Sequence, residues 1–274
     1  MISKSQIKLV RSLEQKKHRQ EEGLFVAEGP KVVGDLLACH FRPRFIFAVA
    51  SPSLLTAHLP VQIVTEEELR RLSFLQHPQQ VLAVFELPAP TNLPPMGRLA
   101  AMEPPHRGEL GGMGQQNSLP LRGEVGGGFF LALDGIQDPG NLGTIIRVAD
   151  WYGINTIYCS RDTADAWSPK VVQATMGSIA RVHICYCDLE QLLRETALPV
   201  YGTVLDGDNI YSQQLTQEGI IVMGNEGNGI SAPIRQLLTH RLLIPQMRPG
   251  AESLNVAIAT AIVCSEFRRT TLAP

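Results

Sequence analysis

Toward the C-terminal end, Val222-Met223-Gly224-Asn225-Glu226-Gly227-Asn228-Gly229 sets three glycines around one carboxylate, directly after an apolar, β-branched run. This junction restricts the fold more than any other stretch. Residues 220–223 have strand composition, and the glycines after them do not belong in a strand interior, so the strand has to end in a turn. Glycine carries no Cβ, and the backbone of such a turn can lie close to a ligand. A second apolar run at 241–244 ends at Pro245 and opens another irregular loop. That loop closes at Ser253, a favoured N-cap residue, ahead of an apolar helix over 254–267. Two strand ends, each followed by a loop, describe the crevice at the carboxyl edge of a parallel sheet, where α/β proteins bind ligands.

The preceding residues fit the same architecture. A strand is expected at 129–133, then a turn-rich loop from Asp134 to Gly143, a helix at 144–152, a strand at 156–159, a helix at 168–178 and a strand at 200–205. This order implies a largely parallel sheet with helices on both faces. Arg147 lies six residues after Asn141, itself a favoured N-cap residue. The unpaired N–H groups of that helix start, together with Arg147, suit an anion such as a phosphate.

The first 87 residues read as a smaller α/β domain. Strands are expected at 25–27, 45–50, 61–64 and 81–85, with helices at 31–39 and 66–74, the latter capped by Thr65. Ser3 and Gln6 form a capping-box pattern at the start of a basic helix, and residues 1–20 hold six Lys or Arg against a single acid. Such a face suits phosphates, with Lys16, Lys17 and Arg19 as the candidate phosphate contacts. Glu28 stands at a strand-to-helix junction, where an acid either touches a ligand or favours the helix N-terminus. Residues 88–127 are rich in Pro and Gly, and Arg107-Gly108-Glu109-Leu110-Gly111-Gly112 returns as Arg122-Gly123-Glu124-Val125-Gly126-Gly127. We read this stretch as a disordered low-complexity linker ahead of a second domain at 128–274.

Composition excludes several classes. With 274 residues, 44% of them apolar, each domain can bury a core. No apolar run reaches about 18 residues, and the lysine-bearing start is unlike a signal peptide, so no membrane role and a cytoplasmic location are expected. Five cysteines, with Cys185 and Cys187 too close for usual zinc-ligand spacing, point to reduced thiols, and the seven histidines fall in no metal-ligand pattern, so no metal is expected. A net charge of −2 argues against indiscriminate coating of nucleic acid. Ser253 lacks the G-x-S-x-G elbow of a serine hydrolase, and 224–229 reads G-x-x-G-x-G, not the dinucleotide fingerprint G-x-G-x-x-G.

Three ordered stretches carry a family resemblance: Asp138-Pro139-Gly140-Asn141-Leu142-Gly143-Thr144-Ile145-Ile146-Arg147, Val222 to Gly227, and Ile244-Pro245 with Glu252-Ser253-Leu254-Asn255-Val256-Ala257. They resemble the three motifs of the SpoU family, RNA ribose 2′-O-methyltransferases of the SPOUT superfamily, over about residues 129–268. Arg19 through Phe25 with Glu28-Gly29 is similar to the L30e-like RNA-binding domain that often precedes the catalytic one. The resemblance implies a parallel-sheet domain tied in a deep trefoil knot, S-adenosylmethionine as cofactor, a homodimer, and ribosomal RNA ahead of transfer RNA as substrate. It implies that Gly224, Ile244 and Leu254 hold the cofactor largely through backbone groups and that Glu226 fixes its loop and lines the site. Asn141, Arg147, Ser253 and Asn255 would face the ribose and its phosphate. The family is thought to use the arginine at position 147 as base; a guanidinium, with a pKa above about 12, suits positioning and electrostatic stabilisation better. The stretch 246–251 is about one residue longer than the family pattern. A non-catalytic RNA-binding or ribosome-assembly protein that kept the fold is the alternative reading.

Overall fold

The computed structural model describes residues 2–49, 61–89, 128–248, 250 and 253–269. The expected linker lies outside the described residues from position 90 to 127, as do Pro249, Ala251 and Glu252. In the N-terminal unit, β1 (Leu24–Glu28), β2 (Pro43–Ala48), β3 (Val61–Ile63) and β4 (Val81–Glu86) form one sheet in the order β1-β4-β2-β3. β4 runs antiparallel to both β1 and β2, and β2 and β3 pair in parallel. Helices α3 (Pro30–Ala38) and α4 (Glu66–Leu72) accompany it; the capping box at Ser3 and the cap at Thr65 form as the sequence predicts, the latter completed to a capping box by Glu68.

The basic start is two helices, α1 (Lys4–Ser12) and α2 (Lys16–Glu22), instead of one. Leu13 at the break is fully buried. The last carbonyls of a helix lack partners within it. Arg19 meets that need, donating from Nη1 to the carbonyls of Leu13 and Glu14, both at 2.7 Å.

Residues 129–243 build a six-stranded sheet. β5 (Phe129–Asp134), β6 (Thr156–Cys159), β7 (His183–Tyr186), β8 (Val200–Asn209), β9 (Gly219–Gly224) and β10 (His240–Leu243) stand in the order β10-β8-β9-β5-β6-β7. Every pair in it is parallel. Helices α5 (Pro139–Trp151), α6 (Pro169–Ala174), α7 (Leu189–Glu195), α8 (Ala232–Arg235) and α9 (Val256–Arg269) complete the unit. The sequence reading missed β7 and α7, because His183-Ile184-Cys185-Tyr186 is a short, half-buried edge strand without apolar alternation. Two caps also differ. The residue capping α5 is Asp138, whose carboxylate accepts from Asn141 N at 2.8 Å, so Asn141 lies inside the first turn. α9 starts at Val256, and its free N–H groups are met by Asn255, not Ser253: Asn255 Oδ1 accepts from Ala257 N at 3.0 Å and Ile258 N at 3.3 Å.

The two sheets share one buried cluster, reaching from Phe25, Val33 and Phe85 to Leu131, Ile145 and Ile179. At the seam the Phe25 and Trp167 rings lie 4.7 Å apart with Phe41 beside both. Arg19, 2% exposed, forms an ion pair with Asp165, and Arg181 bridges Asp150 at 2.7 Å and Asp35 at 3.5 Å. The Asp150 and Asp35 carboxylates hold the Arg181 guanidinium above its ordinary range against the opposing effect of burial.

Inside the second unit α5 packs closely against α6. A Cβ on Gly143 would meet Ala174 Cβ at 2.4 Å and Ala174 C and Val171 O at 3.1 Å. In an open helix Gly→Ala gains up to about 1 kcal/mol, but overpacking a closed core costs roughly 1–3 kcal/mol. We expect Gly143→Ala to lose stability, by about 1–2 kcal/mol in urea unfolding. An unchanged or raised unfolding midpoint would show that the α5–α6 packing is looser than the geometry implies.

Candidate active site

Three loops meet at the carboxyl edge of the parallel sheet: the one after β5, the one after β9, and the approach to α9. Side-chain amides join them. Asn141 Nδ2 donates to Glu226 Oε1 at 3.0 Å, and Asn255 Nδ2 donates to Asn141 Oδ1 at 2.9 Å. The Glu226 carboxylate also receives Asp138 N at 3.3 Å and Gln137 N at 3.4 Å. Burial pushes the Glu226 pKa up, but the hydrogen bonds from Asn141, from its own backbone and from Gln137 and Asp138 prevail, holding it below the usual glutamate value. The carboxylate is therefore ionised throughout the neutral range.

The glycine loop closes on itself. Asn225 and Gly229 exchange backbone hydrogen bonds at 2.9 Å, and Asn225 Oδ1 accepts from Gly227 N and Asn228 N at 2.9 and 3.0 Å. Asn225 Nδ2 reaches back to Gly135 O at 2.7 Å. A Cβ on Gly224 would stand 2.2 Å from Gly229 C, so the buried Gly224 has its glycine imposed by this closure. Asp134, at the end of β5, holds Ser231 N at 2.7 Å and steadies the far side of the loop. The sequence reading gave Asn225 and Asp134 no role; the signal available was an Asn ahead of two glycines, a residue whose side chain bonds its own backbone in turns.

Of the other expected site residues, Arg147 and Ser253 are exposed, and among the described residues neither hydrogen-bonds to the amide chain. The exposed positions of α5 are Gly140, Thr144, Arg147 and Trp151, a single stripe at helical spacing, with Trp151 84% exposed. Ile244 is half-buried at the end of β10, and Leu254 is 50% exposed beside Asn255. Apolar side chains on loops rich in polar backbone fit a cofactor with a flat adenine and polar ends. Lys16 and Lys17 are exposed on α2 as expected. Arg19 and Glu28 are not at the surface. Arg19 serves the α1–α2 break and the seam, while Glu28 is 5% exposed and accepts from Ser73 Oγ and from Phe74 N at 2.8 Å. Burial raises the Glu28 pKa, an effect only partly offset by those bonds and by the charge of Arg11. No group of three or more potential metal ligands occurs among the described residues. No helix among them is long and apolar enough to cross a membrane.

Residues 128–265 match the SpoU rRNA Methylase family, and residues 4–83 match the MRM3-like substrate binding domain. The 23S rRNA (guanosine(2553)-2′-O)-methyltransferase RlmP of Bacillus subtilis is 27% identical over 94% of both chains. A structure described as a putative RNA methyltransferase of the TrmH family from Porphyromonas gingivalis is 40% identical with a TM-score of 0.79, covering 98% of this chain and 99% of that one. An AdoMet-bound rRNA methyltransferase from Sinorhizobium meliloti is 30% identical with a TM-score of 0.78, covering 100% of this chain and 97% of that one. The chain belongs to the SpoU rRNA methylase family. It is an RNA ribose 2′-O-methyltransferase that takes its methyl group from S-adenosylmethionine.

The lowered Glu226 pKa has a checkable sign. A carboxylate depressed in the folded state stabilises fully above its unfolded pKa, and that stability is lost as pH falls through the folded value. Glu226→Gln should unfold at lower urea than the wild type at pH 7, and the gap should close as pH falls below about 4. Solvent screening of this exposed group keeps the gap under about 1 kcal/mol. An equal gap at both pH values would show that the negative charge is not what holds the loops.

Proposed function

We propose that the RNA is large-subunit ribosomal RNA and that this chain acts on it as a cytoplasmic homodimer. RlmP is named for such a target, and it aligns with this chain along nearly its whole length. The observation that carries the site assignment is the hydrogen-bonded series Glu226–Asn141–Asn255, which joins all three motif loops. S-adenosylmethionine supplies an electrophilic methyl group when bound. Gly224 and Ile244 offer backbone groups to it, and Leu254 covers its apolar part. Asn141, Ser253 and Asn255 orient the ribose so that the 2′-oxygen is aligned for attack. Arg147 neutralises the adjoining phosphate and the charge that develops on the 2′-oxygen.

In this reading residues 1–87 form the L30e-like RNA-binding domain, with Lys16 and Lys17 as phosphate contacts and Arg19 and Glu28 keeping the helices and strand in place behind them. Residues 88–127 are the linker and 128–274 the catalytic domain. A trefoil knot is supported by the path of the C-terminal segment. The β10–β8 register jumps from Gly202 to Asp208 between Arg241 and Leu242, and the chain then returns to Asn141 through Asn255. The homodimer is supported by exposed apolar side chains on two helices that pack together: Trp151 on α5, and Leu254 and Ile258, 50% and 55% exposed, at the start of α9. Arg147 lies in the same stripe as Trp151, so pairing there would carry it into a site shared by two subunits.

Transfer of labelled methyl from S-adenosylmethionine to unmodified large-subunit rRNA, followed by nucleoside digestion and mass spectrometry, tests the assignment. The expected product is a 2′-O-methylnucleoside. Arg147→Ala should lower kcat by about 100-fold or more while cofactor affinity by calorimetry stays within about twofold. Wild-type turnover by Arg147→Ala would remove the residue from the chemistry, and labelling confined to other RNAs would overturn the substrate.

A further inference from the structure

Where the N-terminal unit meets the parallel sheet there is a cavity of about 270 Å³, bounded by α2 and the loop between β6 and α6. Its walls are of two kinds. Lys16 and Gln20 project from α2, and Arg161 faces them from the loop, while Tyr186 and Trp167 provide aromatic surface. Lys16 Nζ sits 5.7 Å from the centre of the Tyr186 ring. The Tyr186 hydroxyl is committed to Ala164 O and accepts from Ala166 N at 2.8 Å, so the ring is fixed before any ligand arrives. Beneath lies the Arg19–Asp165 pair, with Arg19 Nε buried and unpartnered. Lys16 and Arg161 are both exposed, and neither forms an ion pair with a described residue. The pocket thus has three cations against one carboxylate.

Arg161 also borders a second cavity of about 280 Å³. That cavity is acidic apart from Arg161, with Asp134, Asp188 and Glu190 in its lining, and it adjoins the glycine loop through the Asp134–Ser231 hydrogen bond. Arg161 is thus common to the two cavities. Cations alternating with fixed aromatic faces are what single-stranded nucleic acid binds, its phosphates on the charges and its bases on the rings. We propose that the seam pocket holds an unstacked nucleotide flanking the methylated one, its base against Tyr186 and Trp167 and its phosphate between Lys16 and Arg161. The inference rests on the RNA methyltransferase reading and extends it, because it makes the junction of the two units a recognition subsite. A volume just below the ~300–1,000 Å³ range of drug-sized sites matches a single nucleotide.

The salt dependence of RNA affinity tests this on the full-length protein, using a large-subunit rRNA transcript that the wild type methylates. Removing one cation that meets a phosphate should reduce the slope of log K against log salt by about 0.7–0.9. Arg161→Gln and Lys16→Gln are each expected to lower the slope by about that amount, and the double variant by about twice it, with cofactor affinity unchanged. Arg70→Gln, which removes an exposed charge from α4 away from the pocket, should leave the slope unaltered. Wild-type slopes in Lys16→Gln and Arg161→Gln, or an equal drop in Arg70→Gln, would overturn the subsite and leave the methyltransferase assignment standing. Failure of the wild type to methylate any transcript would remove that assignment and the inference with it.

Discussion

The order of the site depends on one constraint, the direction in which two side-chain amides must point. An amide has a donor end and an acceptor end, and exchanging them reverses every hydrogen bond it makes. Asn255 Oδ1 is claimed by the free N–H groups at the start of α9, which forces its Nδ2 outward to Asn141 Oδ1. That contact forces Asn141 Nδ2 onto the Glu226 carboxylate. The N-terminus of one helix thereby sets, through two amides, the acceptor at the tip of the glycine loop. Turning either amide would place donor against donor or acceptor against acceptor at each end.

The union of the two units follows a similar logic, with charge in place of dipole. Arg19 is buried where α1 breaks, and a buried guanidinium without partners would be costly, since breaking a buried pair typically costs about 3–5 kcal/mol. Two carbonyls of its own unit occupy Nη1 and Asp165 of the other unit occupies Nη2, leaving Nε as the unpartnered nitrogen. The same side chain shapes the α1–α2 turn and ties it to the loop after β6. The Phe25–Trp167 contact adds apolar burial at the same place, so the orientation of the basic helix toward the active site is set by packing as well as by charge.

The sequence made the parallel sheet legible because β5 and β9 hold continuous apolar runs, at 129–133 and 220–223, that end at polar or glycine turns, and the residues of each motif are contiguous in the chain. It also placed Asn141, Glu226 and Asn255 in one site. What it did not show were properties that depend on partners distant in sequence. Arg19 reads as a surface charge in a basic helix until Leu13 and Asp165 are brought beside it. Glu28 reads as a helix-start acid until Ser73 and Phe74, some 45 residues on, supply its hydrogen bonds. Ser253 and Asn141 are good caps by residue type, yet Asn255 and Asp138 take those places, since several capping residues stand within three positions of each helix start and local sequence does not choose among them. β7 escaped notice because a half-buried edge strand lacks the pattern that betrays a buried one.

The amide chain also limits the chemistry. A general base needs a free lone pair directed at the proton and a pKa near the working pH. Glu226 has neither property: its oxygens receive Asn141, Gln137 and Asp138, and those bonds hold its pKa below the ordinary range. Asn141 and Asn255 do not titrate. Glu226 is thus a structural anion that pins the loops together. The demand on Arg147 then becomes clear. In the proposed mechanism Arg147, exposed on the α5 stripe, meets the phosphate and the developing negative charge of the 2′-oxygen. On that proposal rate enhancement comes from alignment and charge stabilisation, and the proton of the 2′-hydroxyl leaves to the substrate's own phosphate or to water.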